Sequence, residues 1–133
     1  MFTTPYVSLG LLFSGIVSAI INGTNSSYAF AAAIFQPALQ GYSTPFICTG
    51  ALVSSHAVLT LAECVHGLGP SEMFVRLGQA PDSYVNRTIS KVTFHPHFSI
   101  STLEGDVAVL HLKDSVEDIK PVEMVSSQAN ESW

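Results

Sequence analysis

Basic side chains are missing from the first half of this sequence. Arg76 is the first of five, followed by Arg87, Lys91, Lys113 and Lys120. Only 11% of the 133 residues are charged, and ten acidic against five basic groups give a formal net charge of -5. No basic cluster is present to follow a phosphate backbone, so nucleic acid is not an expected partner. No polybasic patch invites anionic lipid. Cysteine is scarce too, with Cys48 and Cys64 the only two. Glu63, His66, His95, His97 and His111 could in principle ligate a metal. The His95-Pro96-His97 run lacks any CxxC or HExxH-like companion, so neither a metal site nor a cofactor is expected. The apolar run from Leu9, even extended to Ile21, falls short of the roughly 20 residues that a membrane-spanning helix needs. Internal repeats and low-complexity tracts are absent.

What is present suits one modest domain with a real core, at 47% hydrophobic residues. Leu9-Gly10-Leu11-Leu12-Phe13-Ser14-Gly15-Ile16-Val17 leads into Val17-Ser18-Ala19, whose small residues suit signal peptidase. The expected division is a signal peptide over 1–19 and a mature chain over 20–133. Met1 to Ser8 contributes no Lys or Arg to the leader. An even cysteine count compatible with one disulfide agrees with export. So do four N-x-Ser/Thr sequons, at Asn22, Asn25, Asn86 and Asn130. Asn22 and Asn25 are too close for both to be occupied. The expected location is extracellular, with no membrane contact once the signal is cleaved.

Behind the leader, short apolar runs broken by turn residues predict β structure. Tyr28 to Phe35 is compatible with helix or strand by periodicity. Its shortness, with Asn25-Ser26-Ser27 before and Pro37 after, favours strand. Gln36 to Pro45 reads as loop, Phe46 to Val53 as a buried strand, Ser54-Ser55 as a turn and Ala57 to Leu61 as the returning strand. Gly67 to Ser71 is expected as loop and Met73 to Gly78 as strand. Thr88 to Phe94 and Asp106 to Lys113 are two more strands. Ile119 to Val125 is an extended exit segment, with Pro121 at an edge-compatible place. Six strands at regular spacing suit a small barrel or sandwich. The aromatics Phe46, Phe74, Phe94 and Phe98 are expected in the core.

Four local patterns occur in order: Ile20-Ile21-Asn22-Gly23, Cys48-Thr49-Gly50-Ala51-Leu52-Val53 with Leu61-Ala62-Glu63-Cys64, Phe94-His95-Pro96-His97-Phe98, and Gly105-Asp106-Val107-Ala108-Val109-Leu110. Together they resemble the N-terminal half of a trypsin-like, chymotrypsin-fold serine protease over residues 20 to 127. The resemblance implies an all-β fold, the N-terminal six-stranded antiparallel Greek-key barrel of that family, with the second barrel missing. It implies a loop-closing Cys48–Cys64 disulfide, and Asp106 as the counterpart of the triad aspartate. At the position of the catalytic histidine, directly before the second cysteine, stands Glu63. Thr49 replaces the glycine usually found after the first cysteine. No Gly-Asp-Ser-Gly-Gly-Pro motif precedes the end at Trp133, so nucleophile, oxyanion hole and specificity pocket have no counterpart.

A carboxylate cannot replace a neutral imidazole, which carries one donor and one acceptor nitrogen. Two acidic groups facing each other resist double ionisation. Glu63 is therefore expected either protonated and hydrogen-bonded to Asp106 or turned to solvent. His66 is expected on the surface, not as a substitute base. The resemblance thus implies a secreted non-catalytic homologue that binds a protein: a protease, an inhibitor or another secreted protein. The alternative is a truncated gene model or isoform of a longer trypsin-like endopeptidase, itself inactive because of Glu63. A small surface glycoprotein without a defined partner is the weaker third reading.

Overall fold

In the computed structural model, residues 28–37, 44–78 and 83–125 are described. Six strands carry the fold: β1 (Ala31–Phe35), β2 (Phe46–Ser54), β3 (Ala57–Thr60), β4 (Phe74–Leu77), β5 (Val85–Phe94) and β6 (Ala108–Leu112). They close into one antiparallel barrel in the order β1-β2-β3-β6-β5-β4. β4 lies beside β1 in front of the β1-β2-β3 meander, which is the Greek-key arrangement. The expected fold class is therefore what the described residues form.

Alternation explains the closure. Side chains at every second position of a strand share a face, and the inward set here is aliphatic. Ile34, Leu52, Val58, Val75, Leu77 and Leu110 are fully or almost fully buried. Branched side chains of this size fill the interior of a small barrel without leaving a channel. Gly50 on β2 serves the same packing. A Cβ there would come within 2.6 Å of the Leu59 carbonyl oxygen and 2.8 Å of Val58 Cγ1.

Phe46 and Phe74 correct the expectation for the aromatics. Phe46 is 57% exposed and Phe74 is half-buried, and neither belongs to the core cluster. Strand alternation explains this, because their neighbours Ile47 and Val75 take the inward positions and leave both rings on the outer wall. Phe94 and Phe98 do pack against the core, stacked on each other with centroids 5.7 Å apart.

Strand limits also shift. β5 begins at Val85, before the expected Thr88, and carries a register shift between Ile89 and Lys91. That bulge leaves Ser90 and Lys91 both exposed while Ile89 is buried and Val92 half-buried. Ser90 Oγ donates to the carbonyl of His111 at 3.1 Å. Two short helical pieces replace expected extended or loop structure: α1 (Ala62–Val65) and a single 3-10 turn at Pro70–Glu72. The Gly69 N–H donates to Glu72 Oε2 at 2.6 Å and fixes that turn. The exit segment beyond β6 is irregular but tied back, its Val122 N–H donating to the Leu52 carbonyl at 2.9 Å. No helix among the described residues is long and apolar enough to cross a membrane.

Leu110 is fully buried in this interior. Its replacement by Ala should cost about 2–5 kcal/mol in urea unfolding. Replacement of the exposed Lys91 by Ala should stay within about 0.5 kcal/mol.

Candidate functional site

The residues singled out by the sequence meet at one end of the β3–β6 pair. Thr60 is in register with Ala108 across that pair. α1 therefore starts just past one strand, and Asp106 sits just before the other. Neither position depends on a long loop.

Two links hold α1 there. Cys64, inside α1, is bonded to Cys48 on β2, with Cα atoms 6.0 Å apart and a sequence separation of 16. This is the pairing that the resemblance implied. The second link is electrostatic. The first turns of a helix leave backbone N–H groups without acceptors, and Leu61, at the N-cap, offers no side-chain bond. Asp106 Oδ1 supplies the acceptor, taking the Glu63 N–H at 2.7 Å. A carboxylate accepting from a backbone amide is among the stronger hydrogen bonds.

Asp106 is aimed by the turn that precedes it. Gly105 has φ +60, and a Cβ there would lie 2.6 Å from His95 Nδ1 and 3.0 Å from the His97 carbonyl carbon. Both the left-handed backbone and the close approach require glycine. The His95 N–H donates to the Val107 carbonyl at 2.9 Å, and the Val107 N–H to the Gly105 carbonyl at 2.7 Å. The segment 95–98 is thereby laced to the segment carrying Asp106. His95 Nδ1 accepts the His97 N–H at 3.1 Å, so that ring nitrogen is already engaged.

The Glu63 side chain is exposed, and the Asp106 bond comes from its backbone. Of the two expected arrangements, the solvent-facing one is found. No hydrogen bond joins the two carboxyl groups among the described residues. His66, at the C-cap of α1, is exposed as expected. Its ring lies edge-on to Phe94 and Phe98 at 6.3 and 5.7 Å between centroids. It makes no hydrogen bond to Asp106. Thr49, at the position usually held by glycine, is exposed, and its carbonyl accepts the Thr60 hydroxyl at 2.8 Å.

Beside Asp106 lies a shallow hollow of about 340 Å³ lined by Cys48, Thr49, Ala51, Leu59, Leu61 and Val107, among others. Leu61 and Val107 on its wall are 45% and 41% exposed. Among the described residues no group of three or more His, Cys, Asp or Glu gathers at metal-ligating distance. Of the four sequons only Asn86 falls within the described residues. Asn22, Asn25, Asn130 and the leader over 1–19 lie outside them.

Sequence reasoning did not anticipate the outer wall around Arg76. The guanidinium sits over the rings of Phe35, Tyr84 and Phe74 at 5.1, 5.6 and 5.9 Å, and its Nε donates to Asn86 Oδ1 at 3.0 Å. The signal was present in the alternation of Phe74 with Arg76 and of Tyr84 with Asn86 and Thr88.

If Asp106 acts here chiefly through the Glu63 amide, Asp106→Ala should destabilise the protein by about 1–2 kcal/mol. Glu63→His, which keeps the backbone donor, should change stability by no more than about 0.5 kcal/mol. Cys48→Ala with Cys64→Ala should cost about 2–4 kcal/mol. Urea unfolding of the three variants checks the order.

Comparison with known proteins agrees with this geometry. The family model described as Trypsin matches residues 20–132. The chain is 29% identical over 97 residues to Trypsin theta of Drosophila erecta, covering 69% of this chain and 37% of that protein. It is 37% identical over 90 residues to Trypsin II-P29 of Gallus gallus, covering 62% of this chain and 35% of that protein. It is 26% identical over 108 residues to Serine proteinase stubble of Drosophila melanogaster, covering 74% of this chain and 14% of that protein. The matches thus span little more than a third of these relatives at most. With a closed barrel, the disulfide and Asp106 just before β6 alongside that match, the chain belongs to the trypsin family.

Proposed function

We propose that this chain is a secreted, non-catalytic member of the trypsin family that acts by binding another protein. One observation carries the reading. The residue between Ala62 and Cys64, whose amide is held by Asp106 at 2.7 Å, is a glutamate. The family's chemistry needs there an imidazole that accepts a proton on one nitrogen while the aspartate holds the other. Glu63 has acceptor oxygens only when ionised, and its side chain points to solvent. Asp106 accepts a backbone amide on Oδ1, and no histidine among the described residues hydrogen-bonds to it.

A barrel that keeps its core without a base contributes surface. The Leu61–Val107 hollow beside Asp106 is the apolar part of that surface nearest the altered position. Exposed aliphatic side chains beside polar backbone suit a protein partner better than a small charged ligand. The partner class we favour is a secreted protein, such as a protease or its inhibitor.

The coverage of the relatives, 37% or less in these matches, favours a second reading: the chain is part of a longer trypsin-like protein. Glu63 would be carried into that product as well. Sequencing the transcript for a downstream Gly-Asp-Ser-Gly motif distinguishes the two.

The chain, and any longer product of its transcript, should show no turnover of peptide esters and no labelling by an active-site serine probe. Glu63→His in the 133-residue chain should restore neither. Labelling of the wild-type protein would overturn the non-catalytic reading. A pull-down from the secreted fraction should recover a near-stoichiometric protein partner, and Leu61→Asp should weaken that capture at least tenfold. Capture unaffected by Leu61→Asp would remove the hollow from the interface.

A further inference from the structure

We propose that Asn86 carries an N-linked glycan whose first sugar packs on an aromatic shelf built into the outer wall of the barrel. The inference rests on the secretory reading above, because the transfer takes place in the secretory lumen.

The sequon Asn86-Arg87-Thr88 lies on β5, where residues two apart share a face. Asn86 and Thr88 are both exposed, so acceptor amide and hydroxyl project together from the wall. Across the β4–β5 pair, Asn86 is in register with Arg76 and Thr88 with Phe74. Arg76 Nε donates to Asn86 Oδ1 at 3.0 Å. That bond fixes the carboxamide by its oxygen and leaves Nδ2, the atom that carries a sugar, directed away from Arg76. Tyr84, two residues before Asn86, is 48% exposed and lies 5.6 Å from the Arg76 guanidinium. Tyr84, Arg76 and Phe74 thus lie on the same outer wall as Asn86, with Tyr84 on the face that Asn86 shares.

On the Phe74 side of this wall, Asn86 and Thr88 border a groove of about 720 Å³ lined also by Pro37, Pro70, Met73 and Phe74, among others. Ser71 and Lys113 also line it and offer polar partners to sugar hydroxyls. A pyranose ring has an apolar face of C–H groups and an equatorial rim of hydroxyls, which matches an aromatic floor with a few polar groups at its edge. The occupant is tethered, so its effective concentration is high and weak contacts suffice to seat it.

The chemistry is supplied by the cell. Asn86 Nδ2 forms a bond to the anomeric carbon of a lipid-linked oligosaccharide and loses one proton, and the lipid pyrophosphate leaves with the bonding electron pair. Carbon and nitrogen undergo no net oxidation or reduction.

Protein secreted from animal cells, with its own leader and in parallel with a borrowed one, should be treated with peptide N-glycosidase in ¹⁸O-water. The peptide ending at Arg87 should then contain Asp in place of Asn86 with one ¹⁸O atom, and Thr88→Val should abolish this. Unmodified Asn86 in the secreted protein would overturn the proposal. Secretion with the borrowed leader alone would count against the chain's own signal while leaving the Asn86 result to stand or fall by itself.

The shelf has its own readout. Protein trimmed to the first N-acetylglucosamine should melt several degrees above the Thr88→Val protein, and this difference should vanish in a Tyr84→Ala background. An equal difference with and without Tyr84 would show that the sugar does not use the shelf.

Discussion

Closure of the barrel along two seams is the constraint on which the remaining structure depends. β1-β2-β3 and β4-β5-β6 are each a meander with two open edges. Pairing of β3 with β6 and of β1 with β4 removes all four. Each seam also assembles chemistry. The β3–β6 register, with Thr60 opposite Ala108, brings the end of one strand and the start of the other together, and with them Glu63 and Asp106. The β1–β4 register, with Phe35 opposite Phe74 and Ala33 opposite Arg76, builds the aromatic wall outside. One closure thus serves an inner aliphatic core, a terminal polar site and an outer aromatic face.

At the terminal site the covalent and the electrostatic link act on the same four-residue helix. The disulfide restrains α1 from the side of β2, and Asp106 restrains it from the side of β6. The disulfide acts largely on the unfolded chain, by limiting its freedom. The Asp106 bond acts on the folded state, by satisfying a helical amide that would otherwise depend on water. Gly105 belongs to the second link, because its left-handed backbone lets the chain pass tightly against the segment 95–98 just before Asp106.

Much of this was legible before the structure. Alternation in Thr88 to Phe94 and the run from Val107 to Leu112 mark strands because one face of each is packed. The cysteine motif and Gly105-Asp106 mark the site because they form short contiguous patterns. What could not be read follows from geometry that no local pattern encodes. The bulge at Ser90 changes which side chains face inward without changing composition. Phe46 and Phe74 look like core residues in sequence, but Ile47 and Val75 beside them take the inward positions and leave them outside. α1 is too short to show a helical period, and its amide partner lies 43 positions away. The Arg76 cluster joins β1, β4 and the entry to β5, three segments whose adjacency exists only once the barrel closes.

The division of labour at position 63 explains how the barrel can accommodate a glutamate there. The structural duty of this residue is discharged by its backbone N–H, which any amino acid except proline supplies. Its side chain is exposed and fills no volume in the core. Changing the side chain therefore alters the chemistry offered at the end of the β3–β6 seam while costing the fold little. Asp106 stands differently, because its carboxylate is itself the acceptor. Removing it would leave α1 held from one side only. Position 63 can thus change under the same architecture that holds position 106 in place, and a scaffold with that asymmetry keeps its fold whichever side chain stands there.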